Sequence, residues 1–135
     1  MPFPSVSVLI VDDNEPHRYA LARRLRAAGH QVLEAGNGSA ALQLAQQLPQ
    51  VVLLDVNLPD ITGFEVCRLI KEDPHTASIP VIFISATCPP WDGHSESAAA
   101  GGMTFLIHPV DTEQLLPIIA GAVRKAKSAK QAGAA

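Results

Sequence analysis

Five short apolar runs, separated by segments with helical spacing, most constrain the fold of this 135-residue chain. Three of the runs are continuous Val, Ile, Leu and Phe rather than alternating apolar and polar residues. Continuous runs of this kind are typical of central parallel strands buried on both faces of a sheet. The sequence therefore predicts alternating strands and helices. The predicted strands are Val6–Val11, Gln31–Ala35, Val51–Leu54, Val81–Ile84 and Thr104–Ile107.

Capping signals mark where the helices between these strands start and end. The residues expected to cap or open a helix are Asn14, Ser39, Thr62 and Asp111. Glu65 stands three residues after Thr62 and completes a capping box, while Gly29 is placed to end the first helix. The fourth helix is expected to be short and to start near His94 or Ser95, because the proline-containing stretch before it is a poor helix former.

The order of these elements points to a single α/β domain. Short connections between parallel strands favour right-handed crossovers, and hence a flavodoxin-like doubly wound (βα)5 fold with sheet order 2-1-3-4-5. The chain of such a sheet reverses direction between strands 1 and 3, which is where ligand pockets form. Residues 1–124 are expected to form the domain, and the Ala/Lys-rich residues 125–135 are expected to be a tail or linker.

Composition excludes several classes of function. The formal net charge of −3 gives no support for nucleic-acid binding, and no apolar run approaches the roughly 20 residues that span a bilayer. The N-terminus lacks the features of a signal peptide. We therefore expect a cytoplasmic protein with no membrane or nucleic-acid partner. The scattered histidines, among them His30, are expected at the surface.

Acidic residues follow two of the predicted strands. Asp12 and Asp13 come directly after the first run, and Asp55 comes directly after the third. Carboxylates brought together at adjacent strand ends are costly unless a cation joins them, and an oxygen-rich pocket suits Mg²⁺. One carboxylate could then act as a nucleophile. Taken singly, Asp12 and Asp13 could cap a helix, and Asp55 could cap a strand end.

Several dispersed motifs now resemble one family. Over roughly residues 6 to 123 the chain is similar to receiver domains of two-component signalling. The matching segments are VDDN at residues 11–14, LLDVNLPD at 53–60, GFE at 63–65, PVIFISA at 80–86, AG at 100–101, and Pro109. Their number and order make this a far stronger signal than any one of them alone.

The resemblance implies a role for each site residue. Asp55 would accept a phosphoryl group from a phosphohistidine on a histidine kinase or histidine phosphotransfer protein. Ser85 would supply the hydroxyl that turns toward the phosphoryl oxygen, and Phe105 the aromatic ring that moves with it. The implied Mg²⁺ ligands are Asp12, Asp13, Asp55 and the backbone carbonyl of Asn57.

The protein implied by these roles is a Mg²⁺-dependent conformational switch rather than an enzyme. Its only chemistry would be self-phosphorylation and slow dephosphorylation. The domain could stand alone or be one module of a hybrid histidine kinase, and a homodimer is a further assembly to consider.

One position departs from the family pattern. The family normally has Lys just before the proline after the fifth strand, and this chain has His108 there. Lysine is a permanent point charge, whereas imidazole is shorter and largely neutral near pH 7. His108 could replace the lysine or only fill space, and the second case suggests a pseudo-receiver that docks without being phosphorylated. The presence of all three acids favours the phosphorylated switch.

A small hydrolase with Asp55 as its nucleophile is a third interpretation. Phosphatases of the haloacid dehalogenase type carry a D-x-D pair at the nucleophile, whereas this chain has Asp55-Val56-Asn57. The other acids of that family should also lie downstream of the nucleophile, and here they lie upstream. The order of the acids therefore argues against this interpretation.

Overall fold

The five strands form one parallel sheet whose central strands are buried on both faces. The computed structural model describes residues 5–85, 104–107, 115–124 and 126, with the backbone alone at residues 85 and 104–107. The strand order is β2-β1-β3-β4-β5, and every pairing is parallel, as the flavodoxin-like prediction requires. From β1 to β5 the strands are Ser7–Val11, Gln31–Ala35, Val51–Asp55, Val81–Ser85 and Thr104–Ile107.

Three helices connect the first four strands, and residues 115–124 are also helical. They are α1 (Glu15–Ala27), α2 (Gly38–Ala45) and α3 (Gly63–Glu72). Asn14 caps α1 and Thr62 caps α3, as predicted. Gly29 follows α1 with a φ of 95°, the left-handed conformation that favours glycine. Across the described ranges, no helix combines the length and apolarity needed to cross a bilayer.

The start of α2 differs from the prediction. The prediction that Ser39 opens α2 is wrong, because the side chain of Asn37 accepts a 2.7 Å hydrogen bond from the backbone N–H of Ala40 and the helix begins at Gly38. Asparagine is among the strongest N-cap residues, so it takes this position ahead of the serine two residues later. The expected cap at Asp111 and the expected fourth helix lie outside the described residues.

Apolar side chains fill both sides of the sheet. One core cluster lies under α2 and α3 and includes Leu9, Leu54 and Phe83. The other lies under α1 and the helical residues 115–124 and includes Leu25 and Leu53. Successive residues of one strand therefore enter opposite cores, which explains why the central strands have no polar face.

His30 is buried, so the prediction that it lies at the surface is wrong. Its Nδ1 accepts a 3.1 Å hydrogen bond from the backbone N–H of Val6. Burial lowers the pKa of this imidazole. The neutral ring therefore acts as a structural acceptor that joins the start of β2 to the segment preceding β1.

Candidate functional site

The pairing of β1 with β3 brings the predicted acids together. Val11 is in register with Leu54, so the next residues along the two strands, Asp12 and Asp55, lie at the same edge of the sheet. Each of Asp12, Asp13 and Asp55 offers a carboxylate oxygen, and the three oxygens all lie within 4.8 Å of one another. The carboxyl ends of the strands thus form an acidic cluster at the switch point of the fold.

The three carboxylates differ in their exposure to solvent. Asp12 is buried, Asp55 is half-buried and Asp13 is exposed. Burial raises the pKa of Asp55 to about 6, although the backbone N–H of Asn57, which donates to Asp55 Oδ1 at 3.0 Å, acts in the opposite direction. The neighbouring carboxylates of Asp12 and Asp13 raise this pKa further. Negative charge on Asp55 is therefore disfavoured by its surroundings and calls for a nearby cation.

Asp12 is held by three hydrogen bonds. Its backbone N–H donates to the carbonyl oxygen of Ala35 at 3.0 Å, and its Oδ1 accepts from the backbone N–H of Asn14 at 2.9 Å. Its own carbonyl oxygen accepts from Arg18 Nη1 at 2.8 Å, and Arg18 is in turn paired with Glu34 at 3.2 Å. These contacts fix the backbone and the carboxylate of Asp12 before any cation binds.

The sequence pattern did not predict a role for Arg18, which contacts both Asp12 and Glu34. Its place four residues after the N-cap Asn14 puts it on the first turn of α1, close to the end of β1. Only the contact with β2 reveals its role, because Glu34 lies on that strand. A helix–strand ion pair between these positions has no local sequence signal.

The loop after β3 folds back onto the end of the strand. The backbone N–H of Gly63 donates to the carbonyl oxygen of Val56 at 2.8 Å, while that of Asn57 donates to Asp55 as described above. The loop of residues 56–62 is therefore short and closed, and it begins within the acidic cluster. This arrangement places the backbone of Asn57 next to Asp55.

Asp60 lies in the same loop and makes contacts with α2 that the sequence did not predict. The carboxylate of Asp60 accepts hydrogen bonds from the backbone N–H groups of Gly38 at 2.8 Å and Ser39 at 2.9 Å. These two bonds lower the pKa of Asp60. The loop that follows the predicted phosphoacceptor is therefore attached to the N-terminus of α2.

The donor set of the cluster fits a small, hard cation. Carboxylate oxygens are the ligands that Mg²⁺ and Ca²⁺ prefer, and Mg²⁺ is commonly held by one or two carboxylates together with water and substrate oxygens. A divalent cation would also offset the repulsion that raises the pKa of Asp55. Asp12, Asp13 and Asp55 are the side chains that could hold it.

The remaining predicted site residues belong to β4, β5 and the segment after β5. Asp55 is in register with Ile84, so the next residue, Ser85, ends β4 at the same edge of the sheet as the acids. Phe105 lies in β5. The side chains of Ser85 and Phe105, and the whole of His108, lie outside the described part of the chain.

Comparisons with known proteins agree with this fold. The family model for the response regulator receiver domain matches residues 8–120. Protein PilH of Pseudomonas aeruginosa is 39% identical over 116 residues, which cover 83% of this chain and 93% of PilH. Response regulator PleD of Caulobacter vibrioides is 38% identical over 115 residues, which cover 82% of this chain but only 24% of PleD.

A solved structure gives the same result. The chemotaxis response regulator CheY4 of Vibrio cholerae superposes with a TM-score of 0.80 at 29% identity, covering 88% of this chain and 99% of CheY4. The family model covers most of the chain, and the parallel sheet has the order predicted from the alternating strands and helices. The chain belongs to the response regulator receiver domain family of two-component signalling.

Proposed function

We propose that this receiver accepts a phosphoryl group on Asp55 in a Mg²⁺-dependent reaction and acts as a conformational switch. The donor would be a phosphohistidine on a histidine kinase or a histidine phosphotransfer protein. The proposal treats residues 1–124 as the switching unit, working in the cytoplasm without a nucleic-acid or membrane partner of its own.

The acidic cluster is the observation that carries this proposal. Three carboxylate oxygens within 4.8 Å of one another make a site that favours a divalent cation and a dianionic phosphoryl group bound to it. Asp55 combines this position with partial burial and a pKa raised to about 6. At neutral pH its carboxylate is still mostly ionised, as a nucleophile must be.

Each residue of the cluster has a distinct part in the transfer. An oxygen of Asp55 would attack phosphorus while the phosphorus–nitrogen bond of the donor breaks and the donor histidine leaves. Phosphoryl transfer of this kind depends on in-line positioning and on neutralising charge more than on a general base. The hydrogen bond from Asn57 N–H orients the Asp55 carboxylate, and the contacts around Asp12 hold the adjacent acid in place.

Mg²⁺ would supply the positive charge that neutralises the carboxylates and the phosphoryl oxygens. The proposed ligands are Asp12, Asp13, Asp55 and the backbone carbonyl of Asn57. Arg18 and Glu34 support this set indirectly, because they fix the backbone of Asp12.

Switching would follow from the charge that phosphorylation adds. An aspartyl phosphate carries roughly −2 at a packed strand end, enough to attract a nearby hydroxyl. We assign that hydroxyl to Ser85 and the accompanying aromatic movement to Phe105. His108, at the position of the family's lysine, would provide a cation only as imidazolium. These movements would shift a surface between two conformations, and a partner would bind one of them. The partner could be a second copy of the chain.

Beryllofluoride, a mimic of the phosphoryl group, tests the proposal without a cognate kinase. Addition of beryllofluoride with Mg²⁺ should shift the amide resonances around β3 and the loop of residues 56–62 in the wild type. The same addition should leave Asp55→Asn unchanged. Equal shifts in both proteins would mean that Asp55 is not the acceptor.

A further inference from the structure

Asp60 joins two parts of the receiver that lie far apart in sequence. Its two carboxylate oxygens each accept one backbone hydrogen bond, from Gly38 and from Ser39, at the N-terminus of α2. The side chain of the next residue, Ile61, packs against the backbone of Gly38. The contact is so close that a Cβ built on Gly38 would lie 2.5 Å from Ile61 Cγ1. The loop of residues 56–62 and the start of α2 therefore meet through both polar and apolar contacts.

The loop that carries Asp60 begins at the acidic cluster. Its first residues are attached to the strand end through Asn57 N–H and Asp55 Oδ1, and its far end is attached through Gly63 N–H and the carbonyl oxygen of Val56. Asp60 lies between these two attachments and adds a third, to a different element. Three attachments over seven residues leave the loop little freedom to change its path.

The helix itself does not depend on Asp60 for its cap. Asn37 already occupies the N-cap position and accepts from the N–H of Ala40. Asp60 accepts from the N–H groups of Gly38 and Ser39, which precede Ala40. A carboxylate at a helix N-terminus is also favoured by the helix dipole. Loss of the Asp60 carboxylate should therefore release the loop while α2 remains folded.

We propose that Asp60 is a positioning residue for the metal and phosphoryl site. By tying the loop of residues 56–62 to the N-terminus of α2, it holds the backbone of Asn57 at the distance from Asp55 that cation binding requires. This inference rests on the proposed function, because it assumes that the cluster binds Mg²⁺ and that Asn57 contributes its carbonyl oxygen. Asp60 itself would touch neither the cation nor the phosphoryl group.

The test variant is Asp60→Asn, which keeps the size of the side chain but loses its charge and one of its two acceptor oxygens. Asp73→Asn is the matched control, because Asp73 also binds α2 through its carboxylate, just beyond the other end of the helix, where it accepts a hydrogen bond from Gln46 Nε2 at 3.0 Å. Mg²⁺ affinity would be measured by calorimetry. The rate of phosphorylation by acetyl phosphate would be measured as a function of Mg²⁺ concentration.

Asp60→Asn should bind Mg²⁺ about tenfold more weakly than the wild type, the lower end of the effect seen for residues that position metal ligands. Its rate of phosphorylation at saturating Mg²⁺ should match the wild type, because the acids are intact and a bound cation would itself hold the Asn57 backbone beside Asp55. Asp73→Asn should match the wild type in both measurements. This separation of affinity from maximal rate would not arise from a general loss of stability.

Two failures can be told apart. A wild-type protein that neither binds Mg²⁺ nor accepts the phosphoryl group would overturn the proposed function. A wild type that does both, with Asp60→Asn equal to it or with Asp73→Asn equally impaired, would overturn only the positioning role of Asp60.

Discussion

The backbone of Gly63 lies directly against the carbonyl group of Asp55. A Cβ at position 63 would overlap the carbonyl oxygen of Asp55 and would lie only 2.9 Å from Val56 Cα. The N–H of Gly63 also donates to the carbonyl oxygen of Val56. Helix α3 therefore begins in contact with the proposed phosphoacceptor. A displacement of the end of β3 would have to move the start of α3 as well.

Gly63→Ala should lower the free energy of unfolding by roughly 1–3 kcal/mol, since the added methyl group has no space and backbone must move. Gly121→Ala is the control, because Gly121 is helical and no described atom lies within 4 Å of its Cβ position. That change should raise the free energy of unfolding by about 0.5–1 kcal/mol. Urea denaturation of both variants measures the difference, and equal effects at the two glycines would refute the close approach.

Removal of one acid should weaken the cation site. Asp13 is exposed and contributes an oxygen to the cluster, so Asp13→Ala removes a ligand without opening a cavity in the core. We expect Mg²⁺ affinity to fall at least about tenfold, because even residues behind the ligands have effects of this size. Calorimetric titration against the wild type checks this, and an unchanged affinity would place the cation elsewhere.

The raised pKa of Asp55 predicts a pH-dependent stability in the absence of metal. Because folding raises this pKa from its ordinary 3.8 to about 6, the protonated carboxyl is favoured in the folded state. The stability it contributes is fully present below the unfolded pKa of 3.8 and is lost as the pH rises through about 6. Negative charge at Asp55 therefore destabilises the metal-free protein at neutral pH.

Asp55→Asn, which cannot ionise, should consequently be more stable than the metal-free wild type at pH 7. The expected gain is about 1–2 kcal/mol, a discounted value because solvent screens this half-buried group. Urea denaturation with a chelator present, repeated between about pH 4 and pH 7, should show the gain appearing as Asp55 ionises. Mg²⁺ should stabilise the wild type more than Asp55→Asn. If Asp55→Asn is less stable than the metal-free wild type at pH 7, the carboxylates of the cluster do not repel one another as described.

His108 offers a test of the one departure from the family pattern. Only imidazolium can replace the lysine, so beryllofluoride binding by the wild type should weaken from about pH 6 to pH 8. In His108→Lys the binding should be stronger, by roughly ten- to a hundredfold for a charge-assisted contact, and nearly independent of pH over that range. If beryllofluoride binding has the same, pH-independent profile in both proteins, His108 does not contribute to binding.

The strands and the acidic cluster were predictable because their signals are local. Burial on both faces produces continuous apolar runs, and parallel strands must end at the same edge, so Asp12 and Asp55 had to converge. The start of α2 was misassigned because Asn37 and Ser39 are both good N-cap residues, and the backbone amide of Ser39 is taken by Asp60.

The missed features all depend on contacts between distant parts of the chain. Asp60 lies 22 residues from Gly38, and His30 lies 24 residues from Val6. Neither pairing leaves a local pattern in the sequence. An exposed acid and a buried neutral imidazole acquire their roles only when the elements around them have packed.

Phosphorylation of Asp55 can be measured as the mass of the protein after incubation with acetyl phosphate and Mg²⁺. The wild type should gain the mass of one phosphoryl group, mapped to Asp55, and the gain should disappear when Mg²⁺ is chelated. Asp55→Asn should gain nothing, while Asp73→Asn, which changes a carboxylate outside the cluster, should behave as the wild type. A phosphoryl group that still appears on Asp55→Asn, or a wild type that gains none, would show that Asp55 is not the phosphoacceptor.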